Sequence, residues 1–420
     1  MEQDYYLGNR KAVYQQLPEN ALLLIFSGKA PRKTGDEYYP FFTDRNFLYL
    51  TGIEQPNLTL LAAKAAGGAI RESLFIAAPD AHAERWNGPR IKAEQAAAIS
   101  GIGDIRYEQE LDAILSKLAG TGDYHHLYLD LDKLTADEPD NGAYLMAAAA
   151  RRRYPFLAIK NVRPLIRACR TIKQPCEIAA MRRAEELTKS GILAMMAAAR
   201  PGMYEYELKA EWDYALTKQG ALASGFPPII SAGENNFCIH YYAYQGRCLD
   251  GDLVLNDVGA AFGHLCTDVS RGWPINGKFS ERQKLLYGCA LATSDHMFSL
   301  LKPGMLLSDV DALARRYNYE RLKEIGLCQS WEEIGADMWH GGAHQVGYDV
   351  HDVDLQYTSP GQQLLPGMVF CVDIGIYCEK WGIGFRLEDN CLITETGSEN
   401  LSAAIPRTVA DIEACIRRGA

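Results

Sequence analysis

The 420-residue sequence has no cysteine before Cys169, although eleven lie from there on. Their number is odd and no two are spaced as C-x-x-C, so neither a complete disulfide framework nor a redox motif is expected. We read all eleven as reduced thiols of a cytoplasmic protein, each a small buried hydrophobe. No apolar run approaches the ~20 residues that span a bilayer. The opening "MEQDYYLGNRK" lacks the apolar stretch of a signal peptide. Basic charge is also in deficit: 43 Lys and Arg stand against 53 Asp and Glu, a formal net charge of −10. That balance argues against nucleic acid as the main partner and against an anionic membrane surface.

What remains is an ordinary globular composition, 48% hydrophobic and 23% charged, in a chain long enough for two or three domains. The onset of cysteine marks a boundary near 160–170, dividing the chain into 1–165 and 166–420. The first part alternates strand and helix signals. "NALLLIF" (20–26), "NLTLLAA" (57–63), "ESLFIAA" (72–78) and "HLYLDL" (126–131) read as strands. "YEQELDAILSKLAG" and "NGAYLMAAAARRRY" read as helices. This is an α/β domain without a catalytic cluster. Its aromatic stretch "EYYPFFTDRNFLYLTG" (37–52) is expected to be core plus turn.

The second part repeats itself. "RPGMYEYELKAEWDYALTKQGA" (200–221) is echoed by "KPGMLLSDVDALARRYNYERLKEIG" (302–326), and "DGDLVLNDVGAAF" (250–262) by "PGMVFCVDIGIYC" (366–378). Helix and then strand follow in the same order in both halves, a duplication rather than a solenoid of 20–50-residue repeats. The echo sets Asp257 against Asp373, each reading Asp-x-Gly in an apolar strand. A carboxylate in such a strand is costly unless it is paired or binds a metal.

Each strand is followed by a hairpin signal. A turn near Phe262–His264 sets Asp257 across from Asp268 to within a residue or two. A turn near Lys380-Trp381 sets Asp373 opposite Glu388. Like charges opposed on a sheet destabilise it, so four carboxylates arranged two per half need cations between them. His340, His344 and His351 crowd into "MWHGGAHQVGYDVHD", where the glycines favour loop over helix. Four carboxylates and an imidazole suit a pair of divalent ions. The oxygen-rich set favours Mn²⁺, with Co²⁺, Fe²⁺ or Zn²⁺ also admitted. Two such ions can hold a bridging hydroxide and polarise a carbonyl, which is hydrolytic chemistry.

Together these motifs resemble the two-domain aminopeptidase P and prolidase group of pita-bread metallopeptidases. "YPFFTDRNFLYLTG" and "ERWNGPR" are similar to that family's N-terminal domain, and "RTIKQPCEIAAMRRA" to the start of its catalytic domain. "GENNFCIHY", "GDLVLNDVGAAFGHLCTDVSRGWPINGKFSERQ", "HGGAHQVGYDVHD" and "GFRLEDN" follow in family order. The resemblance implies an α/β N-terminal domain followed by an α+β pita-bread catalytic domain with internal pseudo-twofold duplication. It implies two divalent metal ions held by Asp257, Asp268, His344, Asp373 and Glu388, with Asp268 and Glu388 bridging.

It assigns His240 and His351 to substrate contact and oxyanion stabilisation, and Arg386 to a hydrogen bond near the metal carboxylates. His340 becomes a further pocket histidine, while His264 has no role beyond the turn. The implied activity is hydrolysis of the N-terminal Xaa-Pro bond of short or unstructured peptides, by a homodimer or larger assembly. Position 373 departs from the pattern, because the family carries a glutamate followed by proline there. That departure keeps a weakly active or non-catalytic peptide-binding member among the readings, beside a prolidase restricted to Xaa-Pro dipeptides. Methionine aminopeptidases lack the N-terminal domain, and creatinase-like members lack the metal ligands.

Overall fold

The computed structural model describes residues 1–353 and 361–419. The chain divides into two compact units, Met1–Arg170 and Thr171–Ala420. A helix, Arg163–Thr171, ends at the division. A boundary at 165/166 would cut that helix, so we place the domain division at its C-terminal end.

The first unit is built on a six-stranded mixed sheet. Its strands are β1 (Ala21–Phe26), β2 (Thr59–Lys64), β3 (Ile70–Ile76), β4 (Ile105–Tyr107), β5 (His126–Leu129) and β6 (Ala158–Asn161), in the order β4-β3-β2-β1-β5-β6. The first three pair antiparallel, and β4, β5 and β6 join parallel. Leu22, Leu24, Leu61, Phe75, Leu127 and Leu129 alternate onto one buried face. The aromatic stretch 37–52 is only half core. Phe47, Leu48, Tyr49 and Leu50 are buried in a helix, Arg45–Thr51, whose first turn is capped by Asp44. Tyr38, Tyr39 and Phe42, in the irregular stretch that precedes the cap, are exposed.

The second unit carries β7 (Ile229–Ala232), β8 (Leu253–Val258), β9 (Ala261–Phe262), β10 (Leu265–Cys266), β11 (Val269–Pro274), β12 (Val369–Cys378), β13 (Ile383–Ile393) and β14 (Ser398–Asn400). Its main sheet runs β12-β13-β11-β8-β7, with β14 pairing β13. Two antiparallel hairpins, β8/β11 and β12/β13, therefore meet along their inner strands. Each follows a pair of helices: Pro175–Ala198 and Glu205–Thr217 before the first, Glu281–Leu300 and Leu307–Glu324 before the second. The duplication in the sequence is this pseudo-twofold arrangement.

Pro175 opens its helix where a missing N–H costs nothing, and Glu177 returns a carboxylate oxygen to the Gln174 N–H at 2.7 Å. Phe370, Val372, Ile374 and Ile376 of β12 turn to the core, with Phe385 and Leu387 of β13. Leu286, Ala290 and Met297 of the Glu281–Leu300 helix belong to the same core. Among the described residues no helix is long and apolar enough to cross a membrane.

One buried acid makes the fold pH-sensitive. Glu185, 5% exposed, accepts hydrogen bonds from Asn390 Nδ2 (2.8 Å) and Ser402 Oγ (2.9 Å). Burial pushes its carboxyl from the ordinary 4.5 up to about 8; the Ser402 hydrogen bond opposes this and the Asp389 charge adds to it. The folded chain thus keeps a proton that the unfolded chain loses. The contribution to stability is whole below pH 4.5, erodes as pH rises toward about 8, and is flat above. Glu185→Gln keeps the accepting oxygen and removes the titration. Its melting temperature, measured on chelated protein between pH 5 and 9, should fall less than that of the wild type. As unfolding free energy the gap should be on the order of a few kcal/mol, and parallel curves would sink this assignment.

Candidate metal centre

Strand alternation determines which side chains share a face. On β12 the core-facing residues leave Cys371, Asp373, Gly375 and Tyr377 on the other side, and on β13 the same face holds Arg386, Glu388 and Asn390. The register then aligns them: Asp373 pairs Glu388, Glu388 pairs Ser270, and Ser270 pairs Asp257. Three carboxylates and a serine form one row across four strands. Ser270 Oγ donates to Glu388 Oε2 at 2.7 Å.

Asp268 lies just before β11, two positions off the Asp257 row, since Val258 pairs Val269. Asn390 holds it there, accepting from the Asp268 N–H at 3.3 Å and donating to the Asp268 carbonyl at 2.8 Å. The tight turn between β9 and β10 falls at Gly263 and His264, whose φ values of 55° and 73° suit a two-residue hairpin turn.

The histidines come from the segment 338–352, which runs along the free edge of β12. The Asp373 N–H donates to the Gly342 carbonyl (3.0 Å), the Cys371 N–H to His344 (2.8 Å), and the Val346 N–H to Val369 (3.3 Å). Arg315 donates to the carbonyls of Met338 and His340 from the helix behind. His344 Nε2 thereby lies 3.2 Å from Glu388 Oε1 and 3.4 Å from Asp268 Oδ2. His340 Nδ1 lies 3.1 Å from Asp373 Oδ2, and its Nε2 is 2.9 Å from Tyr377 Oη. A Cβ on Gly375 would meet that ring at 2.2 Å, so only glycine admits His340 here. His351 stacks on His344 at 4.1 Å between centroids. Arg386 donates to Asp257 Oδ2, to Tyr377 Oη (both 2.8 Å) and to the Ile239 carbonyl (3.1 Å).

All nine residues singled out in the sequence (His240, Asp257, Asp268, His340, His344, His351, Asp373, Arg386 and Glu388) line one cavity of about 220 Å³, with Ile239, Gly341 and Ala343. His240, Gly341 and His351 are its exposed members. The four carboxylates face a single guanidinium. Burial pushes the Asp268 carboxyl well up, and the charges of Glu388, Asp257 and Asp373 push it further. Burial works against protonated His344, yet the Glu388 hydrogen bond and charge raise it overall. His340 is likewise raised by Asp373 against its own burial.

Among the described residues, Asp257 Oδ1, Asp268 Oδ1, Asp373 Oδ1 and His344 Nδ1 are buried without a hydrogen-bond partner. Orphaned carboxylate oxygens gathered around an imidazole are what a divalent-cation site requires, so these residues fit the metals expected there.

Three residues of the face escaped the sequence reading. Ser270 and Tyr377 anchor Glu388 and His340. The third corrects the view that each cysteine is a small buried hydrophobe. Cys176 and Cys238 are exposed. The ligand-capable atoms of Cys371, Asp268, His344 and Glu388 all lie within 4.8 Å of one another. The signal was present: in a strand, the residue two before Asp373 must share its face. Burial and the charges of Glu388 and Asp268 push the Cys371 thiol well up.

Comparison with known proteins bears on this geometry. A sequence model of metallopeptidase family M24 matches residues 179–395, and one of the aminopeptidase P N-terminal domain matches residues 6–128. The chain is 31% identical to a Haemophilus influenzae Xaa-Pro aminopeptidase over 424 residues, covering 96% of this chain and 95% of the relative. It is 31% identical to the Escherichia coli Xaa-Pro aminopeptidase over 432 residues, with 96% of each covered. The structure of zinc-substituted E. coli aminopeptidase P in complex with product superimposes with a TM-score of 0.90 at 28% identity, covering 100% of this chain and 99% of that one.

Proposed function

The chain belongs to metallopeptidase family M24 and is a metal-dependent exopeptidase, and from that premise we propose that it cleaves the N-terminal Xaa-Pro bond of peptides. The observation that carries the reading is the single small cavity in which nine expected residues converge around unneutralised carboxylates. At about 220 Å³ it falls below the ~300–1,000 Å³ of most small-molecule sites. That size suits a chain terminus, and so short or unstructured peptides.

Asp257, Asp268, His344, Asp373 and Glu388 would hold two divalent ions, for which the oxygen-rich set suits Mn²⁺ and also accommodates Co²⁺, Fe²⁺ and Zn²⁺. When bound, such a pair supplies Lewis acidity toward the scissile carbonyl and acidifies water. The chain's own side chains do the rest. His351, fixed on the face of His344, is placed to donate to the oxyanion that develops on the carbonyl oxygen. Exposed His240 contacts the substrate at the cavity mouth.

Asp373 takes a proton from the attacking water and returns it to the proline nitrogen, which must leave as an amine. His340 and its partner Tyr377 hold the Asp373 carboxylate, which is one methylene shorter than the family's glutamate. Arg386 fixes Asp257. Eleven free cysteines, two of them exposed, favour the reducing cytoplasm as the protein's location. We also propose a homodimer or larger assembly, on the family resemblance.

The test is a peptide panel. Xaa-Pro-Yaa substrates should be cleaved in preference to Xaa-Ala-Yaa, EDTA should abolish turnover, and Mn²⁺ or Co²⁺ should restore it. Xaa-Pro dipeptides in the same panel distinguish a dipeptidase. Turnover indifferent to chelation would overturn the mechanism, and equal cleavage of Xaa-Ala-Yaa would overturn the specificity.

A further inference from the structure

Cys371 occupies an unusual position for a thiol. It is fully buried on the metal-facing side of β12, directly paired with Asn390, and its N–H is fixed to the His344 carbonyl at 2.8 Å. Its thiol donates weakly to Asn390 Oδ1 at 3.8 Å, an oxygen that already accepts from the Asp268 N–H, and also lies within hydrogen-bonding reach of Glu388. Around it stand Asp268, His344 and Glu388, the four ligand-capable atoms lying within 4.8 Å of one another. Asp268, 3% exposed, sets Oδ2 3.4 Å from His344 Nε2, and its Oδ1 is buried without a hydrogen-bond partner. A shell with metal–ligand bonds of ~2.0–2.3 Å has its most distant donors up to about 4.5 Å apart, so a contraction of a few tenths of an ångström brings the cluster within one coordination sphere. Among the described residues, no other cysteine joins such a group.

We propose that Cys371 is a sulfur donor to the divalent ion held by Asp268, His344 and Glu388, and that it biases this position toward thiophilic ions such as Zn²⁺ over Mn²⁺. The proposal rests on the metal-centre reading above and deepens it. Carboxylate and imidazole alone discriminate weakly among first-row ions, whereas a thiolate favours the softer ones. The two ions of the pair would then differ, because Asp257 and Asp373 lie outside the four-donor group. Forming the sulfur–metal bond releases the thiol proton to solvent, one per chain.

The experiment is zinc K-edge X-ray absorption on the zinc-loaded full chain. The wild type should show a sulfur shell at about 2.3 Å beside oxygen and nitrogen near 2.0–2.1 Å. Cys371→Ser, nearly isosteric, should bind zinc without that shell. Its Zn²⁺-over-Mn²⁺ affinity ratio should fall by about tenfold or more, a loss that even outer-shell partners can cause. Cobalt-loaded wild type should carry a near-ultraviolet sulfur-to-cobalt charge-transfer band, a readout that needs no variant to fold. A wild-type zinc spectrum fitted by oxygen and nitrogen alone overturns the proposal and leaves the metal centre standing, as does a wild type that binds Mn²⁺ but not Zn²⁺. A chain that binds none of these ions overturns both.

Discussion

Glu388→Gln should lower kcat/KM on Xaa-Pro peptides by well over a hundredfold while raising the stability of the metal-free protein. The two effects have one origin. Glu388 sits at the centre of the carboxylate row, paired with Asp373 on one side and Ser270 on the other. Its Oε2 is fixed by Ser270 and its Oε1 faces His344. An outer-shell partner of a metal typically costs ~10–100-fold in affinity or activity when removed, and a carboxylate in the middle of the donor set should cost more. Without metal, the Glu388 charge is a liability. After burial, it is the largest cause pushing Asp268 upward. The isosteric amide removes that repulsion and keeps the side chain's volume.

Divalent ions retained per chain after gel filtration should therefore fall, and the melting temperature in EDTA should hold or rise. Loss of activity together with loss of metal-free stability would instead mark Glu388 as a structural residue and remove it from the donor set.

The fold was legible where local chemistry decides it. Apolar runs bounded by Gly and Asn gave the strands of the first unit, and Pro175 suits the first turn of the helix Pro175–Ala198. The opposition of Asp373 to Glu388 could be read from hairpin length alone, because an antiparallel pair with a short turn fixes its own register. Strand alternation on either side of Asp373 puts Cys371 and Tyr377 on the same face.

Other features were hidden for physical reasons. Sequence marks 338–352 as a glycine-punctuated loop but not as a segment pairing the edge of β12, since its partners are carbonyls and N–H groups common to every residue. Exposure of Tyr38, Tyr39 and Phe42 depends on what lies beneath the loop, and no local pattern encodes that. Lys173 and Asp352 are 179 residues apart, and nothing in either neighbourhood announces the other.

That pair supports the second large prediction. Lys173 Nζ meets Asp352 Oδ2 at 2.9 Å with side chains 2% and 0% exposed. Lys173 is also tied through its N–H to the Gly367 carbonyl, just before β12, and the Asp352 N–H donates to the Gln345 carbonyl. The ion pair therefore anchors the C-terminal end of the segment carrying His344 and His351 beside the start of β12. Packing is tight enough that a Cβ on Gly347 would meet Asp352 Oδ2 at 2.1 Å and Lys173 Nζ at 2.6 Å, so the carboxylate has little room to turn elsewhere.

Removing one partner of a buried pair leaves an uncompensated charge and typically costs ~3–5 kcal/mol, whereas removing both costs much less. Lys173→Met should lose about that much in denaturant unfolding, and Lys173→Met/Asp352→Asn should recover a large part of it. The cycle would then show favourable coupling between the two side chains. Activity should follow geometry rather than stability alone. Under conditions where Lys173→Met is still folded, a displacement of His351 by about 1 Å would cost on the order of a hundredfold in kcat, with metal content nearly unchanged. Single substitutions each costing under about 1 kcal/mol, the range of exposed ion pairs, would show that the ion pair does not carry the loop.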